Sequence, residues 1–157
     1  MKKNKWSLTY LIASVICIYI LIGPCGLFNI GEAYAQNNGA SEIQLLARAI
    51  NGEARGESYE GQVAVGAVIL NRVRNADFPN TIAGVIYQPG AFTAVDDGQI
   101  NVPIDPNSSV VKAAQDAMDG WDPTNGAIYY WNPATATSSW IWSRKIVTKI
   151  GKHNFGI

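Results

Sequence analysis

The chain of 157 residues balances 12 basic side chains against 12 acidic ones, with 1 histidine and 2 cysteines. That inventory excludes a basic surface of the kind that neutralises nucleic-acid phosphates. It also leaves little material for thiol chemistry or a His/Cys metal site.

Residues 1–35 read as a secretory signal peptide. Lys2, Lys3 and Lys5 form a positive start, an apolar run follows from about Leu8 to Phe28, and Ala33-Tyr34-Ala35 presents small residues where a signal peptidase cuts. Cleavage before Gln36 is expected, with no integral membrane span afterwards. Cys17 and Cys25 both lie in this segment, so residues 36–157 hold no thiol. They keep nine basic and eleven acidic side chains, and nine minus eleven gives a net charge of −2. A secreted domain without disulfides rests on its hydrophobic core, and 122 residues suffice for one. The expected organisation is a signal peptide over 1–35, a short flexible lead over 36–40 and one domain over 41–157.

Ser41-x-x-Gln44 has the form of a capping box, which predicts a helix start. Ile43, Leu46, Ala47 and Ile50 then recur at helical spacing. Gly61 to Arg74 predicts a second helix that is apolar on every side from Val63 to Leu70, the pattern of a buried central helix. Its many small residues allow close neighbours. Thr81 to Gln88 predicts a short third helix stopped by Pro89-Gly90. Phe92 to Ser108, broken by Asp96-Asp97-Gly98, Pro103 and Pro106, reads as a long loop, and such loops in small domains are usually functional. Val110 to Met118 predicts a fourth helix, capped by Ser108 or Ser109. Ala127 to Trp131 is strand-like. The aromatic and β-branched tail from Trp140 to Ile157 fits a short hairpin or irregular packing. The sum is a mainly helical α+β domain with a small β element.

The residue inventory narrows the chemistry. A lone histidine, His153, cannot supply a zinc site that needs several His or Cys ligands. No Gly-x-Ser-x-Gly elbow and no phosphate-binding Gly-x-x-x-x-Gly-Lys loop occurs. No cofactor or metal is therefore expected, and proton work falls to carboxylates. Glu53, Glu57 and Glu60 cluster at the end of the first predicted helix. At about 100° per residue from Ile43, Glu53 lies near −80° and Glu57 near −40°, both on the rim of the apolar stripe. A carboxyl beside apolar packing loses solvation, which favours its protonated form. A general acid needs that form. Gly52 and Gly56 carry no side chains and leave room for a bulky substrate. Pattern alone leaves Glu53 and Glu57 both open as functional residues, while Glu60 suits the dipole at the start of the next helix.

Aromatic residues crowd the last third: Trp121, Tyr129, Tyr130, Trp131, Trp140 and Trp142. Such rings stack on sugars, with Thr93, Gln99 and Asn132 as polar partners. Each ring taken singly also suits a core. His153 reads as a packing residue.

The string Ala47-Arg48-Ala49-Ile50-Asn51-Gly52-Glu53-Ala54-Arg55-Gly56-Glu57 resembles the catalytic domain of the spore cortex-lytic enzymes, the SleB-type cell-wall hydrolases. So do Tyr59-Glu60-Gly61-Gln62, Val68-Ile69-Leu70-Asn71-Arg72, Phe92-Thr93-Ala94-Val95, Tyr129-Tyr130-Trp131-Asn132-Pro133 and Gly151-Lys152-His153-Asn154-Phe155. The resemblance runs through nearly all of residues 41–157. It implies a lysozyme-like fold, similar to goose-type lysozymes and lytic transglycosylases. It also implies cleavage of peptidoglycan between N-acetylmuramic acid and N-acetylglucosamine, leaving a 1,6-anhydro end, in spore cortex during germination.

By the same resemblance Glu53 is the catalytic acid, with Glu57 as the supporting or alternative acid. Thr93, Gln99, Tyr130, Trp131 and Asn132 are the expected substrate contacts. The implied partners are peptidoglycan strands and a regulatory spore protein, the enzyme itself being a monomer outside the cytoplasm, in the cell wall or cortex. Spore enzymes of this type often carry a peptidoglycan-binding domain ahead of the catalytic one. Here the catalytic segment follows the signal directly, which leaves vegetative wall open as a substrate. Two alternatives stand beside this reading: an N-acetylmuramoyl-L-alanine amidase, and a non-catalytic peptidoglycan-binding spore protein.

Overall fold

The computed structural model describes residues 28–157, with side chains from residue 39. The expected signal peptide thus falls mostly outside the described residues. Helix α1 spans Phe28–Ala54. This corrects the expected start at Ser41, which lies within the helix. A Ser/Gln pair three residues apart is also at home on an exposed helix surface, so the capping signal is permissive there. From Ala40 onward the chain forms one compact unit, Ala40–Ile157. No helix among the described residues is long and apolar enough to cross a membrane.

Helix α2, Tyr59–Arg74, is the axis of that unit, and it is buried almost throughout from Gly61 to Leu70. Ser58 starts it by accepting the Gly61 N–H at 3.2 Å. Leu46 and Ile50 of α1 pack on its Val63, Val65 and Ile69 side. Helix α5, Ser109–Met118, packs along it through Val110, Ala113, Ala114 and Ala117. At the crossing, a Cβ on Gly66 would lie 3.0 Å from Ile50 Cδ1 and 3.2 Å from Ala117 Cβ. The small residues of α2 thus admit both neighbours, as its composition predicts. Helix α3, Ile82–Ile86, is capped by Thr81 and presents Ile82, Val85 and Ile86 to the same core.

The expected loop from Phe92 to Ser108 is irregular from Val102 onward but carries two short helical turns in its first half. Helix α4 covers Thr93–Asp96, and a 3₁₀ turn covers Gln99–Asn101. The Asp97 carboxylate accepts the Gln99 N–H, and Gly98 takes a left-handed φ of 79°, so the residues that suggested a loop link the two turns.

Three strands complete the unit: β1 Tyr129–Trp131, β2 Ile146–Ile150 and β3 His153–Gly156, in the order β1-β3-β2 with antiparallel pairing. Of the two options for the tail, the hairpin forms. Register places Tyr130 opposite Phe155 and Trp131 opposite Asn154. Phe155 and Ile150 pack on Ala64 and Val68 of α2, with Tyr130 against them. Strand alternation therefore turns Tyr130 toward the helices.

Candidate active site

Glu53 lies half-buried in the last turn of α1. Its Oε1 accepts the Ala94 backbone N–H at 2.8 Å, and its Oε2 accepts the Tyr130 hydroxyl at 3.0 Å. Close packing makes the first contact feasible. A Cβ on Gly52 would overlap the Ala94 Cβ, so only a bare α-carbon lets α4 sit this near α1. This corrects the expectation that Gly52 opens space for substrate: the space holds Ala94. Gly56 does face open surroundings. Tyr130 is fixed by the sheet. Its ring stacks on Phe155 at 6.2 Å and meets the His153 ring edge-on at 5.6 Å.

Glu57 follows the end of α1, so projecting the helical stripe to it does not hold. It is spent on the β2–β3 turn. Its Oε2 accepts the Lys152 N–H at 3.2 Å, while its Oε1 lies 3.9 Å from His153 Nδ1 and 4.0 Å from Lys152 Nζ. Glu60 is exposed in the first turn of α2, where its charge suits the helix dipole.

Burial, together with the Glu53 carboxylate, pushes the Tyr130 hydroxyl well above the ordinary phenol value, so it stays a neutral hydroxyl that can donate to a Glu53 carboxylate or accept from its protonated form. His153 is depressed below its ordinary value of about 6.5, chiefly by burial; Glu57 and Glu53 oppose that shift and Lys152 adds to it. The sign for stability follows. Below about pH 6.5 the unfolded chain binds a proton at this position before the folded one does, so the contribution is fully present above about pH 6.5 and is lost as pH falls from there to the lowered folded value. His153→Asn should flatten urea midpoints measured from pH 5 to 8 relative to wild type; identical slopes would refute this contribution.

Two clefts lie beside the rings packed around Glu53. One, of about 320 Å³, is lined by Arg72, Phe78, Gln88, Tyr129, Tyr130 and Trp140 among others. The other, of about 360 Å³, is lined by Asn132, Lys149, Lys152, His153 and Asn154 among others. Tyr130 borders the first and His153 the second, and these two rings touch.

The expected site residues fall unevenly around this arrangement. Thr93 is exposed beside Ala94, and Gln99 packs near Gly52, its side-chain oxygen 3.5 Å from Arg55 Nη1. Asn132 borders the His153 cleft, its side chain accepting the Ala134 N–H. Trp131 does not join them. It is 6 % exposed and packs over Gly156, which corrects its expected place on the substrate surface. Among the described residues the exposed tryptophans are Trp121, Trp140 and Trp142.

Sequence reasoning missed the Ala94 N–H, since backbone donors leave no residue-type signal. It also missed His153, set aside as packing, although it touches both Tyr130 and Glu57.

Residues 56–156 match the Cell Wall Hydrolase family. The chain is 59% identical over 127 residues to a spore cortex-lytic enzyme of Bacillus cereus, covering 81% of this chain and 47% of that protein. It thus spans about half the length of the curated relatives it matches. Among solved structures, the catalytic domain of the Bacillus cereus SleB protein superposes with a TM-score of 0.69 at 61% identity, over 74% of this chain and 89% of that one. The catalytic domain of the germination-specific lytic transglycosylase SleB from Bacillus anthracis gives 0.70 at 60% identity, over 74% and 93%. The fold is accordingly the mainly helical, lysozyme-like α+β fold that the sequence resemblance implies.

Proposed function

The chain belongs to the Cell Wall Hydrolase family, and from that premise we propose that it is a secreted lytic transglycosylase acting on peptidoglycan glycan strands, those of spore cortex foremost. The observation that carries the reading is the Glu53 carboxyl, held at both oxygens, with its partner Tyr130 lining a cleft. The solved relatives it resembles include one titled a lytic transglycosylase. In this reading residues 41–157 are the catalytic domain, residues 1–35 export it, and no cofactor is required.

The geometry suits a single acid. Ala94 N–H can only donate, so Oε1 must accept and a proton on Glu53 resides on Oε2. That proton passes to the glycosidic oxygen as the bond from the muramic C1 breaks. The muramic 6-hydroxyl then attacks C1, and its proton returns to the Glu53 carboxylate. A C1–O6 bond replaces the C1–O4 bond, and no water is consumed. Between the two steps the carboxylate faces the emerging positive charge while Ala94 and Tyr130 hold it in place. No second carboxylate is needed, unlike the pair used by most glycoside hydrolases.

The test is mass spectrometry of soluble products from purified cortical and vegetative sacculi. Disaccharide fragments with anhydro ends support the reading. Intact glycan strands freed from their peptides would instead establish the amidase alternative. Absence of any release would leave a binding module.

A further inference from the structure

The cleft on the Tyr130 side holds a cation without a partner. Arg72 is 9 % exposed, and its Nε donates to the Ile128 carbonyl at 2.8 Å. Its guanidinium carbon lies 5.3 Å from the Phe78 ring centre, 5.4 Å from Phe92 and 5.8 Å from Tyr129. Among the described residues its terminal N–H groups have no hydrogen-bond acceptor, yet they are not among the sealed, orphaned polar atoms, and the residue lines the cleft. They therefore face the cleft. A second guanidinium packs on two of the rings that line it: that of Arg144 lies 5.2 Å from the Trp140 ring centre and 5.6 Å from Tyr129. No acidic residue lines the cleft, and the ion pairs among the described residues all involve Glu57. Burial is costly enough to lower the pKa of the Arg72 guanidinium. Burying a charge without a counter-charge is unfavourable unless something else supplies one.

We propose that Arg72 binds a substrate carboxylate, so that this cleft takes the acidic substituent of a muramoyl residue on the strand being cut. The inference rests on the proposed action on peptidoglycan. The Arg72 fork is held by the Nε bond and the surrounding rings, which leaves its terminal N–H groups to engage a carboxylate oxygen pair. Tyr130 lines the same cleft and bonds Glu53, so a carboxylate at Arg72 would set the register of the strand against the acid. Peptidoglycan offers such groups at two places, the lactyl carboxyl of a muramic acid without peptide and the free carboxylates of a stem peptide.

Three substrates separate the cases: intact sacculi, sacculi whose carboxylates are converted to amides with carbodiimide and ammonia, and glycan strands stripped of peptide by an amidase. Amidation should raise the KM of wild type by about tenfold or more, the worth of a charge-assisted contact, with kcat moved less. Arg72→Lys and Arg72→Gln should bind intact sacculi more weakly and lose most of that discrimination. Full activity on stripped strands assigns the contact to the lactyl carboxyl, and loss there assigns it to the peptide. An unchanged wild-type KM on amidated sacculi overturns the proposal. So does an equal loss on both substrates in the Arg72 variants, which marks a purely structural role. Co-sedimentation of the Glu53→Gln protein with intact and amidated sacculi reads the same ratio without turnover. A failure of the cleavage reading is thereby told apart from a failure of the carboxylate site.

Discussion

Replacing Glu53 by glutamine will reduce release of soluble fragments from purified sacculi by about a thousandfold or more, the scale set by losing a positioned acid that serves two proton transfers. The amide is nearly isosteric and keeps an oxygen to accept the Ala94 N–H, so the fold should survive with its melting temperature little changed. Glu57→Gln is the control. Glu57 ties down the β2–β3 turn, so its loss should lower stability and move the His153 and Tyr130 rings, with a smaller fall in rate. If Glu53→Gln kept full activity and Glu57→Gln lost it, the acid would be Glu57.

The second large effect should come from a residue that touches no substrate. Gly52→Val will place branched carbon where the Ala94 Cβ already lies. Overpacking of this kind costs about 1–3 kcal/mol. The cheapest relief is for α4 to move off α1, which draws the Ala94 N–H away from Glu53 Oε1 and leaves that oxygen free to take the proton in the wrong place. Activity should fall about a hundredfold, beyond what the stability loss explains, since displacements near 1 Å are that costly in a preorganised site. Denaturant unfolding and initial rates measured on the same preparation check this. A variant that is destabilised yet catalytically normal would show that the Ala94 contact is dispensable.

The helical half of the molecule was legible because its signal is periodic. The all-round apolarity of Val63 to Leu70 announced a central helix, and Val110 to Met118 announced the helix beside it. The start of α1 was not, because a Ser/Gln spacing is compatible with both a cap and a helix surface. The Phe92–Ser108 segment was read correctly only in its second half. Asp97 and Gly98 do break the chain, but they join two short helical turns in its first half. At the site, the sequence placed Glu53 on the rim of an apolar stripe, and the structure puts it half-buried there. Residue type placed Tyr130 among the rings that could stack on sugars, and the sheet turns it onto Glu53. Trp131 was grouped with it by residue type, and residue type does not show that this ring is buried over Gly156. Arg72 was invisible as a site residue. One of two arginines in the last turn of an apolar helix gives no sign that three aromatic rings from distant segments will enclose it.

The one-acid account is tested most directly by running the digestion in water enriched in heavy oxygen and weighing the new muramoyl ends. Internal attack by the 6-hydroxyl predicts ends lighter by one water than a hydrolysed product and free of the heavy isotope. Reducing ends that carry the heavy oxygen would mean that water is the nucleophile, and would contradict it.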